Sequence, residues 1–173
     1  MARRRSKAST TNTPDTPVSA SFDSTEFEGT WTRTDGTDTR CFSFDSYGGS
    51  YFGINRPVVI TATTVTTNTV VFNDAACTKK AGILTGTSSV SWSDGSMPGK
   101  THVARAVLVI TGYSIGLDGD GTGITFTSPP VKGTTAKSLF DVEGTKLFVG
   151  DKNAALTTDG YPTALAATAL YTK

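Results

Sequence analysis

His102 is the only histidine in the chain, so it is the only side chain whose ordinary pKa places proton transfer near neutrality. It opens a strand-like run just after Lys100, with no nucleophile or carboxylate beside it in sequence, and reads as a surface or structural residue. One serine matches a hydrolase string: Gly112-Tyr113-Ser114-Ile115-Gly116 has the form G-x-S-x-G. That string works where a strand turns sharply into a helix and exposes the hydroxyl, with the triad histidine later in the chain. No helical pattern follows Ser114, and His102 precedes it. No S-x-x-K string occurs. No catalytic residue is assigned, and the expectation is a protein that is not an enzyme.

Metal chemistry has one local candidate. Leu117-Asp118-Gly119-Asp120-Gly121-Thr122-Gly123 sets Asp118 and Asp120 two apart among glycines, a spacing that can aim oxygens at Ca²⁺. An EF-hand loop counted from Asp118 needs an acid where Pro129 stands, and a polar turn explains the same residues. Asp151 with Asp159 is a second, weaker pair. The two cysteines, Cys41 and Cys77, allow one intramolecular bridge. That bridge is favoured over two buried free thiols, and over a metal pair that lacks further ligands. It implies an oxidising compartment.

Recognition is the remaining possibility. Tyr47, Tyr51, Trp92 and Tyr113 are the aromatic candidates for lining a ligand site, with ordinary core packing as the alternative for each. Tyr47 and Tyr51 flank a Gly-Gly turn and are the best placed to be exposed. The chain carries net charge +1, too little for a global field that gathers nucleic acid or anionic membrane. Arg3, Arg4, Arg5 and Lys7 nevertheless make the first twenty residues net positive. Residues 1–26, rich in Ser, Thr and Pro, read as a disordered tail. The tail is a flexible spacer or replaced export signal, a solvated terminus, or a basic arm touching nucleic acid or a partner subunit. It has no apolar segment of signal-peptide type, and no run in the chain is long enough for a membrane span.

The elements that must position these residues are strands. Hydrophobic residues are 36 % and charged residues 18 % of the chain. Threonine supplies about a fifth of it, and this β-branched residue suits a pleated, half-buried surface. Alternating runs occur at Gly29–Thr34, Asp38–Asp45, Ser50–Ile54, Val58–Thr66, Val70–Phe72, Ala81–Trp92, His102–Ile110, Ile124–Thr127, Ser138–Val142, Lys146–Val149 and Ala169–Tyr171. Asp35-Gly36, Ser46–Gly49, Thr67-Asn68-Thr69, Asp94–Gly99, the Gly-rich stretch 112–123 and Glu143-Gly144-Thr145 read as the turns. Roughly eight to ten short strands drawn from these eleven runs, joined by sequential hairpins, predict an all-β fold, an antiparallel up-and-down barrel over residues 27–173. Closure removes the edges that an open sheet of this size would leave.

Several strings together resemble a group of bacterial secreted or lipoprotein β-domains with a lipocalin-like layout. Gly29-Thr30-Trp31 is followed by Cys41, and Asp74-Ala75-Ala76-Cys77-Thr78 ends a strand pair. Phe140–Asp151 carries the late D-h-x-G-x-x-L-h-h-G-D pattern. Asp159-Gly160-Tyr161-Pro162-Thr163-Ala164-Leu165 and Tyr171-Thr172-Lys173 close the match. The resemblance implies a barrel and a Cys41–Cys77 disulfide, with roles in binding or surface attachment and no particular reaction. The chain departs from it in showing no signal peptide or lipidation cysteine ahead of the domain. In true lipocalins, to which the G-T-W is also similar, such a tryptophan packs across the closed end.

The functional expectation is an exported barrel, extracellular or at the cell envelope, that binds a small ligand or protein partner through its open end. The alternative is a self-assembling surface or coat protein, a homo-oligomer using its arm and sheet edges. No cofactor is expected beyond the calcium candidate.

Overall fold

The computed structural model describes residues 22–44, 51–100, 102–117 and 130–173. Among these there is no helix, and ten strands make one antiparallel sheet. The strands are β1 (Gly29–Arg33), β2 (Phe42–Phe44), β3 (Tyr51–Asn55), β4 (Val58–Ile60), β5 (Thr64–Phe72), β6 (Lys80–Asp94), β7 (Val103–Leu117), β8 (Thr135–Glu143), β9 (Lys146–Val149) and β10 (Tyr171–Thr172).

These ten elements form a barrel of eight staves. β1 and β2 lie on one path, β1 against β4 and β2 against β3, with residues 34–41 looping out between them. β3 and β4 form the next path, both paired to the same edge of β5. They are parted at Arg56-Pro57, where proline has no ladder donor to lose. β5 through β10 follow in chain order, and β10 pairs with β1 to close the ring. The expected up-and-down barrel is the fold. Cys41 and Cys77 form the disulfide, tying the entry to β2 to the β5–β6 connection.

Four turns and strands fall elsewhere than the sequence patterning predicts. The run Asp38–Asp45 becomes strand only from Phe42, because Asp38–Cys41 belong to the loop ahead of β2. Val58–Thr66 is two strands, because the chain reverses at Thr61: its Oγ1 accepts from the backbone N–H of Thr64 at 3.0 Å, and its own N–H donates to the Thr64 carbonyl at 2.9 Å. A threonine hydroxyl thus does the work expected of Gly, Asn or Asp. Thr67-Asn68-Thr69 is no turn but the middle of β5; Asn68 Oδ1 accepts from Thr85 Oγ1 on β6 at 2.7 Å. Gly112–Leu117 is no loop either. It extends β7 against β6, past a bulge between Thr87 and Ser88. The expected turn at 46–49 and strand at 124–127 lie outside the described residues.

One end of the barrel is sealed by aromatic side chains. Trp31 and Phe27 are fully buried, and Trp31 Nε1 donates to the Phe27 carbonyl at 2.7 Å. Phe27 stacks on Trp92 with centroids 5.0 Å apart, and Phe140 meets Trp92 edge-on at 5.3 Å. Phe22 stacks on Phe27 from outside the plug. Val58, Ile60, Val90, Ala104, Ala106 and Leu147 complete this core from the inward positions of their strands. A second apolar cluster lies on the outside, where Tyr161 covers Val103 and Leu139. The segment between β9 and β10 is strapped across β8 there, with the Gly150 N–H on the Leu139 carbonyl.

Candidate functional site above the aromatic plug

The wall is uneven in height. β8 pairs with β7 only as far as Val109, whereas β7 continues along β6 to Leu117. Among the described residues, β2, β3, β5, β6 and β7 therefore rise past the rest of the ring as a curved five-stranded sheet. Inward positions follow from the plug by alternation. From Val90 the next inward residue on β6 is Ser88, which lies opposite Val65 and Ile110.

A cavity of about 280 Å³ sits on this concave face, directly above the plug. Val65 and Leu108 belong to both, packing on the core below and lining the cavity above. Leu84 and Ile110 add apolar wall, and Thr67, Ser88 and Tyr113 bring hydroxyls to the lining. Its described lining holds no carboxylate, ammonium, guanidinium or imidazole. Thr67 Oγ1 already donates to the Gly86 carbonyl at 3.4 Å. Half-buried Ser88 makes no side-chain hydrogen bond among the described residues.

The three aromatic candidates among the described residues, Tyr51, Trp92 and Tyr113, are not all brought together. Tyr113 lines the cavity. Tyr51 packs against Val71, Ala81, Leu84 and Ile115 higher on the same sheet. Trp92 is at the opposite, sealed end, held by Phe27 and Phe140 with Nε1 donating to the Ala62 carbonyl at 3.1 Å. Tyr47 lies outside the described residues, as do Asp118 and Asp120 of the calcium candidate and Arg3, Arg4, Arg5 and Lys7 of the tail. Thr67, Ser88 and Leu108 carry no signal of their own in the sequence. Only the strand register assembles them.

The residues considered for chemistry are scattered. Ser114 is exposed on β7 opposite Thr85, in continuous strand rather than at a strand-to-helix turn. His102 is exposed and borders a groove with Asp23, Thr25 and Glu26 near the sealed end. Asp151 and Asp159 serve different ends: Asp151 Oδ1 accepts the Asn153 N–H at 2.8 Å, and Asp159 pairs with Arg105 at 3.1 Å. Among the described residues no three His, Cys, Asp or Glu side chains converge as a metal site. A more voluminous depression, about 570 Å³, is a groove on the outer surface. Lys146 and Phe148 border it from the outward positions of β9, beside Asp35. Hydrogen bonds from Arg33 hold the Asp35 carboxyl well below the usual carboxylate range, so that carboxylate is already committed. Among the described residues, no helix is long and apolar enough to cross a membrane.

The chain matches no protein-family model, no curated protein and no solved structure with which it was compared.

Proposed function

We propose that this chain is a non-enzymatic, exported barrel that binds a small ligand at its open end, in the extracellular space or cell envelope. The supporting observation is the asymmetry of the barrel: Trp31, Phe27, Trp92 and Phe140 fill one end, while the other holds a cavity floored by that plug. A barrel of this strand number has room for side chains or for one small ligand, and here the two share the interior. The disulfide agrees with an oxidising location. The motifs shared with secreted and lipoprotein β-domains point the same way.

Titration of the monomer with a lipophilic dye tests the reading, with Ser88→Leu as the filled-cavity control. Saturable binding to the wild type that the variant loses is expected. Equal retention by both proteins places the binding elsewhere and overturns the proposal.

The second reading, a self-assembling coat or surface protein, draws on the basic cluster Arg3, Arg4, Arg5 and Lys7 ahead of the barrel, an arm of the kind that reaches a partner subunit. Size-exclusion chromatography with light scattering, before and after deletion of residues 1–21, separates the two. A strict monomer removes assembly, and an oligomer that dissociates with the tail favours it.

A further inference from the structure

The chemistry of the cavity wall restricts what it can hold. An ion moved from water into an apolar site needs a counter-charge or several directed hydrogen bonds. The described lining offers no counter-charge. Val65, Leu84, Leu108 and Ile110 give an apolar surface, and the polar atoms among the described lining side chains are hydroxyls. Among those, Thr67 has spent its proton on Gly86. Ser88 is differently placed. It sits at an inward position between Val65 on β5 and Ile110 on β7, half-buried, with no hydrogen bond from its side chain to the rest of the described protein. A hydroxyl in apolar surroundings is stabilised by a partner, and a ligand atom is the partner this geometry leaves room for.

Size adds a second restriction. The cavity's volume of about 280 Å³ is roughly what nine liquid waters occupy. That is a molecule of about ten heavy atoms, below the usual range for larger ligands.

We infer that the cavity takes a small uncharged ligand, an alcohol or phenol with one apolar body and one hydroxyl directed at Ser88, and rejects carboxylates of the same shape. This rests on the ligand-binding reading above and names the ligand class for that site. The apolar body lies against Val65, Leu84, Leu108 and Ile110, and the ligand hydroxyl exchanges a hydrogen bond with Ser88 Oγ.

Calorimetric titration of the full chain at neutral pH with 1-octanol and with octanoate tests it, repeated on Ser88→Ala and Ser88→Thr. The alcohol should bind at least about tenfold more tightly than the carboxylate, since only the carboxylate must be buried as an ion. Ser88→Ala should weaken octanol several-fold, and Ser88→Thr should restore most of the loss. Equal affinity for octanol and octanoate overturns the inference and leaves ligand binding standing, as does octanol binding indifferent to Ser88→Ala. Failure of both compounds, together with failure of the lipophilic dye, overturns the ligand-binding reading itself.

Discussion

Lys173 Nζ lies 4.3 Å from the centroid of the Trp31 ring and donates to the Glu26 carbonyl at 3.2 Å. One side chain therefore joins the last strand, the first strand and the segment leading into it at the sealed end. The indole below is completely buried, so the ammonium caps the plug from the solvent side. Lys173→Met keeps the aliphatic cover and removes the charge. It should cost about 0.5–1 kcal/mol, the usual worth of an exposed cation–π contact. At roughly 2–4 °C per kcal/mol for a domain of this size, the melting temperature falls by a few degrees at most. Trp31→Ala should cost far more, about 3–5 kcal/mol. Thermal melts of both variants check the ordering, and comparable losses would mean the ring contributes little to the plug.

The disulfide links residues 36 apart in sequence. By the loop-entropy argument a bridge of that span contributes about 3–4 kcal/mol, chiefly through the unfolded chain. The double variant Cys41→Ala/Cys77→Ala should lose about that much in denaturant unfolding. Both cysteines border the raised sheet rather than the aromatic plug, so the loss should not be uniform. Amide exchange should quicken first in β2, in β3 and in residues 73–79, before it does around Trp31. Uniform acceleration throughout the barrel would show that the bridge acts only globally.

The strand pattern was legible where side-chain chemistry and turn geometry agree. Asp35-Gly36 and Glu143-Gly144 read as reversals, and each glycine has positive φ, 75° and 62°, which only glycine adopts freely. The turn at Thr61 escaped because its hydroxyl, not a glycine or a side-chain amide, satisfies the backbone. Asn68 misled for the converse reason: its amide looks like turn chemistry but is engaged across the sheet by Thr85. The outer cluster left a trace in the sequence. Leu139 and Phe140 are adjacent and both buried, which a strand with one wet face does not require. Tyr161, from the strap, covers the second face. The cavity was legible only in Tyr113. Ser88 and Thr67 are two of many hydroxyl residues, and the register alone sets them facing one space.

Acid should destabilise the barrel through Asp35. Its carboxylate accepts from Arg33 Nη2 at 2.6 Å, from Thr37 Oγ1 at 2.6 Å and from the Thr37 N–H at 3.0 Å. These bonds, Arg33 foremost, lower its pKa from the ordinary 3.8. Because the folded value is depressed, the stabilisation is fully present above the unfolded value and is lost as pH falls below it. Stability should thus be level near neutrality and decline below about pH 4. In Asp35→Asn the slope of melting temperature against pH should be shallower over that acid range, with little change in slope at neutral pH. An unchanged acid slope would assign the decline to other carboxylates.

Asp141 raises the remaining question, since it is the one charged residue in the buried set, 3 % exposed among the described residues. It occupies an outward position on β8 between inward Phe140 and Val142. Lys100 Nζ, from the β6–β7 connection, lies 3.0 Å from Asp141 Oδ2. The same ammonium pairs with Glu143 and rests 5.0 Å from the Phe148 ring centroid. No hydrogen bond of good geometry reaches Asp141 Oδ2, so this oxygen depends on the ion pair. Removing one partner of such a pair strands the other charge, whereas removing both can be nearly neutral. Lys100→Met should therefore lower the melting temperature more than Lys100→Met/Asp141→Leu does, despite the second substitution. The two carboxylates raise the Lys100 pKa, so its contribution persists up to the ordinary lysine value and fades as pH rises through the raised one. Melts of the single and double variants decide the matter. A double variant less stable than Lys100→Met alone would show that Asp141 has support other than the lysine.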